Sequence, residues 1–66
     1  MKPYSELSQH DKELLGRIDK IDNEMGYTFW PEIASLAEKL EDEERKASWL
    51  KTCAHYNRLE EAYWEI

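Results

Sequence analysis

Apolar residues recur at helical spacing in three stretches of the chain. In the first stretch, five of them would form one stripe along a helix: Leu14, Leu15, Ile18, Ile21 and Met25. Ser8 is a good N-cap residue, and Asp11 lies among the charged positions of the other faces, near the positive end of the helix dipole. Gly26 follows the stripe, where a left-handed residue would stop the helix. We therefore predict a first helix over residues 8 to 25.

A glycine, Gly16, lies inside this first helix. Glycine within a helix costs about 1 kcal/mol relative to alanine, because it loses more backbone freedom on folding. We interpret Gly16 as a position where another helix packs closely.

The second stretch begins with a proline and predicts a helix over residues 31 to 40. Pro31 suits a first helical turn, since the N–H that it lacks would have no helical partner there. Thr28 is the candidate cap just upstream. The apolar residues follow the helical repeat: Ile33, Leu36, Ala37 and Leu40.

The third stretch predicts a long helix over residues 43 to 63. Asp42 can cap it, and Glu43 and Glu44 complement its positive end. Its less polar residues share one broad face: Ala47, Leu50, Cys53, Ala54, Asn57 and Leu59. Trp49, in the middle, is the best core candidate among the tryptophans. Since no glycine or proline separates the second and third helices, a fusion of the two remains an alternative.

These three stretches predict an all-α fold, a small three-helix domain formed by residues 1–66. Period-two alternation is missing and valine is absent, so nothing favours a strand. A domain of this size buries only about 60% of its unfolded surface, and its core is marginal. Cys53 is the single cysteine, which excludes an internal disulfide and suits a reducing, cytoplasmic setting. The two histidines and Cys53 do not have the spacing of a metal site, so a protein partner remains as the possible additional support.

The charge of the chain narrows the kind of partner. The net charge is −6, with a pI of about 4.8, and such a surface repels a phosphate backbone. We therefore expect no direct nucleic-acid binding and favour docking onto a basic patch of another protein. No apolar run approaches the roughly 20 residues of a membrane span, so no membrane contact is expected.

The candidate catalytic groups all have simpler structural explanations. The acidic run Glu41–Glu44 lies where the helix dipole favours carboxylates. Cys53 and His55 point to different sides of a helix and cannot act as nucleophile and base. We expect Cys53 to be a small buried apolar residue, His55 to be a surface or helix-packing residue, and His10 to be exposed. The sequence therefore predicts no enzyme, no cofactor and no metal.

Aromatic residues are abundant for so short a chain, with three tryptophans and four tyrosines. Phe29 and Trp30 are adjacent at a predicted corner, and we expect one ring to pack inward and the other to be available to a partner. A further aromatic group at one end of the bundle would comprise Tyr27, Tyr63 and Trp64. The alternative is that all these rings simply cap a small core.

Two segments, WPEIASLAEK and ASWLKTCAHY, resemble the small theta subunit of bacterial DNA polymerase III and its phage-encoded relatives. The matching positions extend over most of the chain: Leu7, Gln9, Pro31, Ile33, Ala34, Ser48, Trp49, Ala54 and His55. The resemblance implies a three-helix fold and a non-catalytic subunit that binds and stabilises the proofreading exonuclease of the replicase. It also implies a possible phage or plasmid origin.

The leading hypothesis is therefore a binding module for a replication enzyme. The residues expected to contact the partner are Phe29, Trp30, Ile33, Leu14 and Ile18. A second hypothesis is a small acidic inhibitor, of phage type, that occupies a basic surface of a nucleic-acid enzyme. A third is self-association into a homo-oligomeric bundle.

Overall fold

The computed structural model describes residues 2–64, together with their side chains except those of Tyr27 and Trp64. Within this range the chain forms three α-helices and no strand, which confirms the predicted all-α fold. The α-helices are α1 (Gln9–Met25), α2 (Trp30–Ala37) and α3 (Glu43–Trp64). Short 3₁₀ helices precede α1 at Tyr4–Glu6 and join α1 to α2 at Gly26–Phe29.

Both ends of α1 lie where the sequence places them. The Ser8 hydroxyl accepts a hydrogen bond from the Asp11 amide at 3.2 Å, as an N-cap side chain does. Gly26 ends the helix with φ 67° and ψ −158°. The positive φ was expected, but this ψ lies outside the left-handed helical region, in a region accessible essentially to glycine alone. The backbone conformation at this position therefore restricts the residue to glycine more strongly than an ordinary left-handed helix cap would.

The second helix is shorter than predicted. It begins at Trp30, with Pro31 in its first turn, and it ends at Ala37 rather than at residue 40. The predicted cap by Thr28 is wrong, because the Thr28 hydroxyl donates to the Met25 carbonyl at the end of α1 (3.0 Å). Residues 38–42 form a non-helical connection, so α2 and α3 are separate helices.

The core lies where α2 packs against both α1 and α3. Its buried apolar members are Leu7, Leu14, Leu15, Ile18, Ile33, Ala37, Leu40 and Cys53. The side chains packed around them are Ile21, Trp30, Ala34, Leu36, Trp49 and Leu50. Cys53 thus has the buried position that the sequence predicted, whereas Trp49 is only partly buried and packs against the core. The core covers only part of the length of α3, which has no buried residue after Cys53 among those described.

Asp11 is the exception within this core, since only 2% of its surface is exposed. One carboxylate oxygen accepts from the Glu41 amide and the other from the Asp42 amide, both at 2.9 Å. The expectation that Asp11 lies on a solvent-facing side is therefore wrong. Its carboxylate links the first turn of α1 to the connection before α3.

The N-terminal segment is attached to the same end of the molecule. The Arg45 guanidinium donates to the Lys2 carbonyl and pairs with the Asp42 carboxylate at 3.2 Å. The Asp42 carbonyl accepts from the Lys46 amide, which begins the hydrogen bonding of α3. The Arg45 side chain thus joins the N-terminal segment to the start of α3 at this end of the bundle.

Gly16 does not have the role that the sequence suggested. It is exposed, and a Cβ atom added there would meet nothing within 4 Å. No helix packs closely on it. Gly16 therefore destabilises the helix relative to alanine, because it loses more backbone entropy on folding, and no packing contact compensates for this loss.

We accordingly expect Gly16→Ala to stabilise the domain by about 0.5–1 kcal/mol, because alanine restricts the unfolded chain and fits the helix. Thermal unfolding followed by circular dichroism would show a midpoint higher by about 4 °C. Gly26→Ala is the matched control and should lower the midpoint, since its φ of 67° is strained for alanine. A Gly16→Ala midpoint at or below the wild-type value would mean that the glycine has a role in the native fold.

Candidate functional site

The end of the bundle opposite the charged contacts exposes large apolar side chains. Two hydrogen bonds locate this end. The Tyr56 hydroxyl donates to the Asp22 carboxylate at 3.3 Å, and the Trp30 indole N–H donates to the Glu60 carboxylate at 2.5 Å. They bring together the last turns of α1, the first turn of α2 and the second half of α3.

Four exposed apolar residues belong to this assembly, and we call them the apolar end: Met25, Phe29, Leu59 and Tyr63. Their exposed fractions are 50%, 41%, 44% and 65%. Each is large enough to contribute substantially to a protein interface, where buried aromatic and aliphatic anchors dominate the binding energy.

Their exposure follows from unequal coverage of the helices. Met25 continues the apolar stripe of α1 two turns beyond Ile18, which is fully buried. On α3, Leu59 and Tyr63 are one turn apart on the same face and lie beyond Cys53. Met25 therefore lies past the buried part of the α1 stripe, and Leu59 and Tyr63 lie past the last buried residue of α3 among those described.

The adjacent rings at the corner divide as the sequence predicted. Trp30 is partly buried, packs against the core and is hydrogen-bonded to Glu60. Phe29 precedes α2 and remains 41% exposed. Trp30 thus fixes the corner to α3, while Phe29 is accessible to a partner. Of the predicted further aromatic group, only the side chain of Tyr63 lies among the described side chains.

Three of the five residues expected to contact a partner are in the core. Leu14 is 7% exposed, and Ile18 and Ile33 have no exposed surface. A partner cannot touch them in the folded chain, and they contribute to the core instead. The exposure of Met25 and Leu59 was not predicted. A signal was present for Met25, because it ends the α1 stripe next to a glycine that turns the chain away from the helix.

Cys53 and Tyr56 lie where α1 faces α3, close to Asp22. Burial raises the pKa of the Cys53 thiol above its ordinary value of 9.0, and the negative charge of Asp22 raises it further. Burial also raises the pKa of Tyr56, again with a contribution from Asp22, which accepts its hydroxyl hydrogen bond. Both groups therefore remain protonated at neutral pH.

We expect the Cys53 thiol to react with iodoacetamide at pH 8 at least about tenfold more slowly in the folded chain than in urea, because the thiolate is the nucleophile. Ionisation of the thiol favours the unfolded chain, in which its pKa is lower. The free energy of unfolding is therefore unaffected by this thiol below pH 9.0, and it falls as the pH rises above that value. Equal alkylation rates with and without urea would contradict the burial.

The other candidate reactive groups are separated by the fold. Cys53 is buried whereas His55 is exposed on another side of α3. His10 is exposed, and its Nε2 donates to the Lys39 carbonyl at 2.9 Å, near the end of α2. Within residues 2–64, no group of three histidine, cysteine, aspartate or glutamate side chains has the arrangement of a metal site.

None of the helices in the described range has the length and apolarity needed to cross a membrane. Comparison with known proteins gives no family assignment. No family model matches the chain, and no curated protein or solved structure matches it significantly.

Proposed function

We propose that this chain is a non-catalytic accessory module that binds another protein through its apolar end. The observation that carries the proposal is the concentration of Met25, Phe29, Leu59 and Tyr63, each at least 41% exposed, at one end of a small bundle. Exposed apolar groups concentrated in this way are typical of interaction sites, whereas single exposed apolar residues are common on any protein surface.

The marginal size of the core supports the same proposal. A domain of this size rarely gains more than roughly 3–5 kcal/mol from its core. Covering half-exposed apolar side chains would add stability through binding, because a ligand that binds only the folded state shifts the unfolding equilibrium. The partner and the module would then stabilise each other.

The proposed partner is the proofreading exonuclease subunit of a bacterial replicase, on the basis of the theta-like segments. The single cysteine agrees with a cytoplasmic location for such a complex. Ile33, one of the theta-like positions, lies in the core and Ala34 packs against it. These positions therefore contribute to the core of this chain, and the identity of the partner rests on the sequence resemblance alone.

Calorimetric titration of the purified exonuclease subunit with this chain tests the proposal. We expect binding, together with a rise in the melting temperature of the exonuclease. Phe29→Ala should weaken the affinity by about tenfold or more, as truncation of an interface aromatic does. Tyr4→Ala is the matched control, because Tyr4 is 53% exposed but lies in the N-terminal segment.

Two results would count against this function. Absence of binding to the exonuclease would remove the proposed partner. Equal weakening by Phe29→Ala and Tyr4→Ala would remove the apolar end as the contact surface. An effect confined to Phe29 would support both parts of the proposal.

A second candidate function is a small acidic inhibitor that binds a basic surface of a nucleic-acid enzyme. The net charge of −6 and the exposed side chains of Glu41 and Glu43 favour it. Such binding would weaken steeply with salt, because exposed charges are screened within about 8–10 Å at moderate ionic strength. Inhibition of the enzyme that is unchanged by Phe29→Ala but relieved by Glu41→Gln with Glu43→Gln would favour the inhibitor.

A further inference from the structure

The net negative charge of the chain is concentrated around the apolar end. Residues 22–32 and 56–63 contain five carboxylates against one basic residue, Arg58, and so hold four of the six net negative charges. We call these carboxylates the acidic collar: Asp22, Glu24, Glu32, Glu60 and Glu61. The apolar residues thus belong to segments in which negative charges outnumber positive charges by five to one.

The acidic collar has no neutralising partner among the residues that the structure describes. Asp22 and Glu60 accept hydrogen bonds from Tyr56 and Trp30, both of which are uncharged donors. Glu24, Glu32 and Glu61 are exposed. Among residues 2–64, no lysine or arginine forms an ion pair with a collar carboxylate. The charges therefore remain available to an incoming cation.

We propose that the apolar end docks on a protein surface with an apolar centre and lysine or arginine side chains at its edge. The inference rests on the proposed function, since it takes this end as the contact surface, and it adds the chemistry of the partner. Opposite charges around an apolar contact steer association and exclude partners of the wrong sign. A second copy of the chain would bring two like-charged collars together, so the same charges disfavour self-association here.

Two synthetic amphipathic helical peptides with the same apolar stripe provide the test, one flanked by lysine and the other by glutamate. Each is titrated into ¹⁵N-labelled protein at low salt, and binding is followed by amide chemical shifts. We expect the lysine peptide to bind at least about tenfold more tightly than the glutamate peptide. The shifts should be largest at Met25, Phe29, Leu59 and Tyr63, and added salt should reduce the preference.

Two double variants separate the collar from net charge alone. Glu24→Gln with Glu61→Gln removes two exposed collar charges, and we expect the preference for the lysine peptide to fall by about threefold or more. Glu38→Gln with Glu41→Gln removes two exposed charges at the other end and should leave the preference nearly unchanged. Circular dichroism confirms that both double variants remain folded.

Equal affinity for the two peptides, no binding of either peptide, or largest shifts outside the apolar end would overturn the inference. An equal effect of the two double variants would also overturn it, since net charge alone would then account for the preference. A lysine preference at the apolar end without exonuclease binding would sustain this inference while removing the proposed exonuclease partner. Exonuclease binding without a lysine preference would sustain the proposed exonuclease partner while overturning this inference.

Discussion

Asp11→Ala should destabilise the domain by about 2–3 kcal/mol, because it leaves two backbone amides without their acceptor at a nearly closed site. Asp11 is 2% exposed, and its carboxylate accepts from the backbone amides of Glu41 and Asp42 at 2.9 Å. Urea unfolding followed by circular dichroism measures the effect. Since such small domains have only roughly 3–5 kcal/mol in total, the variant should be partly unfolded at modest denaturant concentration.

Asp19→Ala is the matched control for this prediction. Asp19 is an exposed aspartate on the same helix, and surface substitutions of this kind usually change stability by less than about 0.5 kcal/mol. If Asp11→Ala and Asp19→Ala unfold at the same urea concentration, the two amide hydrogen bonds do not stabilise the native fold.

Ile33→Ala should destabilise the domain by about 3–4 kcal/mol, because it opens a cavity at a side chain with no exposed surface. This loss is close to the whole stability expected of the domain. The alanine variant should therefore be largely unfolded by circular dichroism at 25 °C. Ile33→Val remains folded and should lose only about 1 kcal/mol.

The valine variant separates a core role from a contact role. We expect Ile33→Val to bind the exonuclease with wild-type affinity, since a partner cannot reach this side chain. Phe29→Ala should show the opposite pattern, with reduced affinity and a smaller loss of stability, because its ring is 41% exposed. Reduced affinity of folded Ile33→Val, measured by calorimetric titration, would place Ile33 in the contact surface after all.

The helices were predictable because their signals are local. The Ser8 cap, the apolar stripe of α1 and the glycine at its end depend on residues within a few positions of one another. The early end of α2 was not predictable in this way. Leu40 fits the helical repeat and is buried, yet it lies in the connection, where the neighbouring Glu41 and Asp42 amides turn toward Asp11.

The candidate site shows the same division between local and long-range information. The pattern indicates which face of α1 is apolar, but not how far α2 and α3 extend over it. Leu14, Ile18 and Met25 therefore look alike in sequence, although only Met25 is exposed at 50%. Asp11 was misplaced because an acid in a first helical turn is already explained by the dipole, and its burial depends on residues thirty positions away.

The hydrogen bonds from the Glu41 and Asp42 amides to Asp11 also close a loop of the chain that contains α2. α2 has eight residues, which is too short for a stable isolated helix in water. The ordering of α2 is thereby tied to contacts between residues 11 and 41–42, so local fraying of α2 should not precede separation of α1 from the connection. The amides of Glu41 and Asp42 should then exchange with deuterium only as slowly as the whole domain opens, although neither residue belongs to a helix.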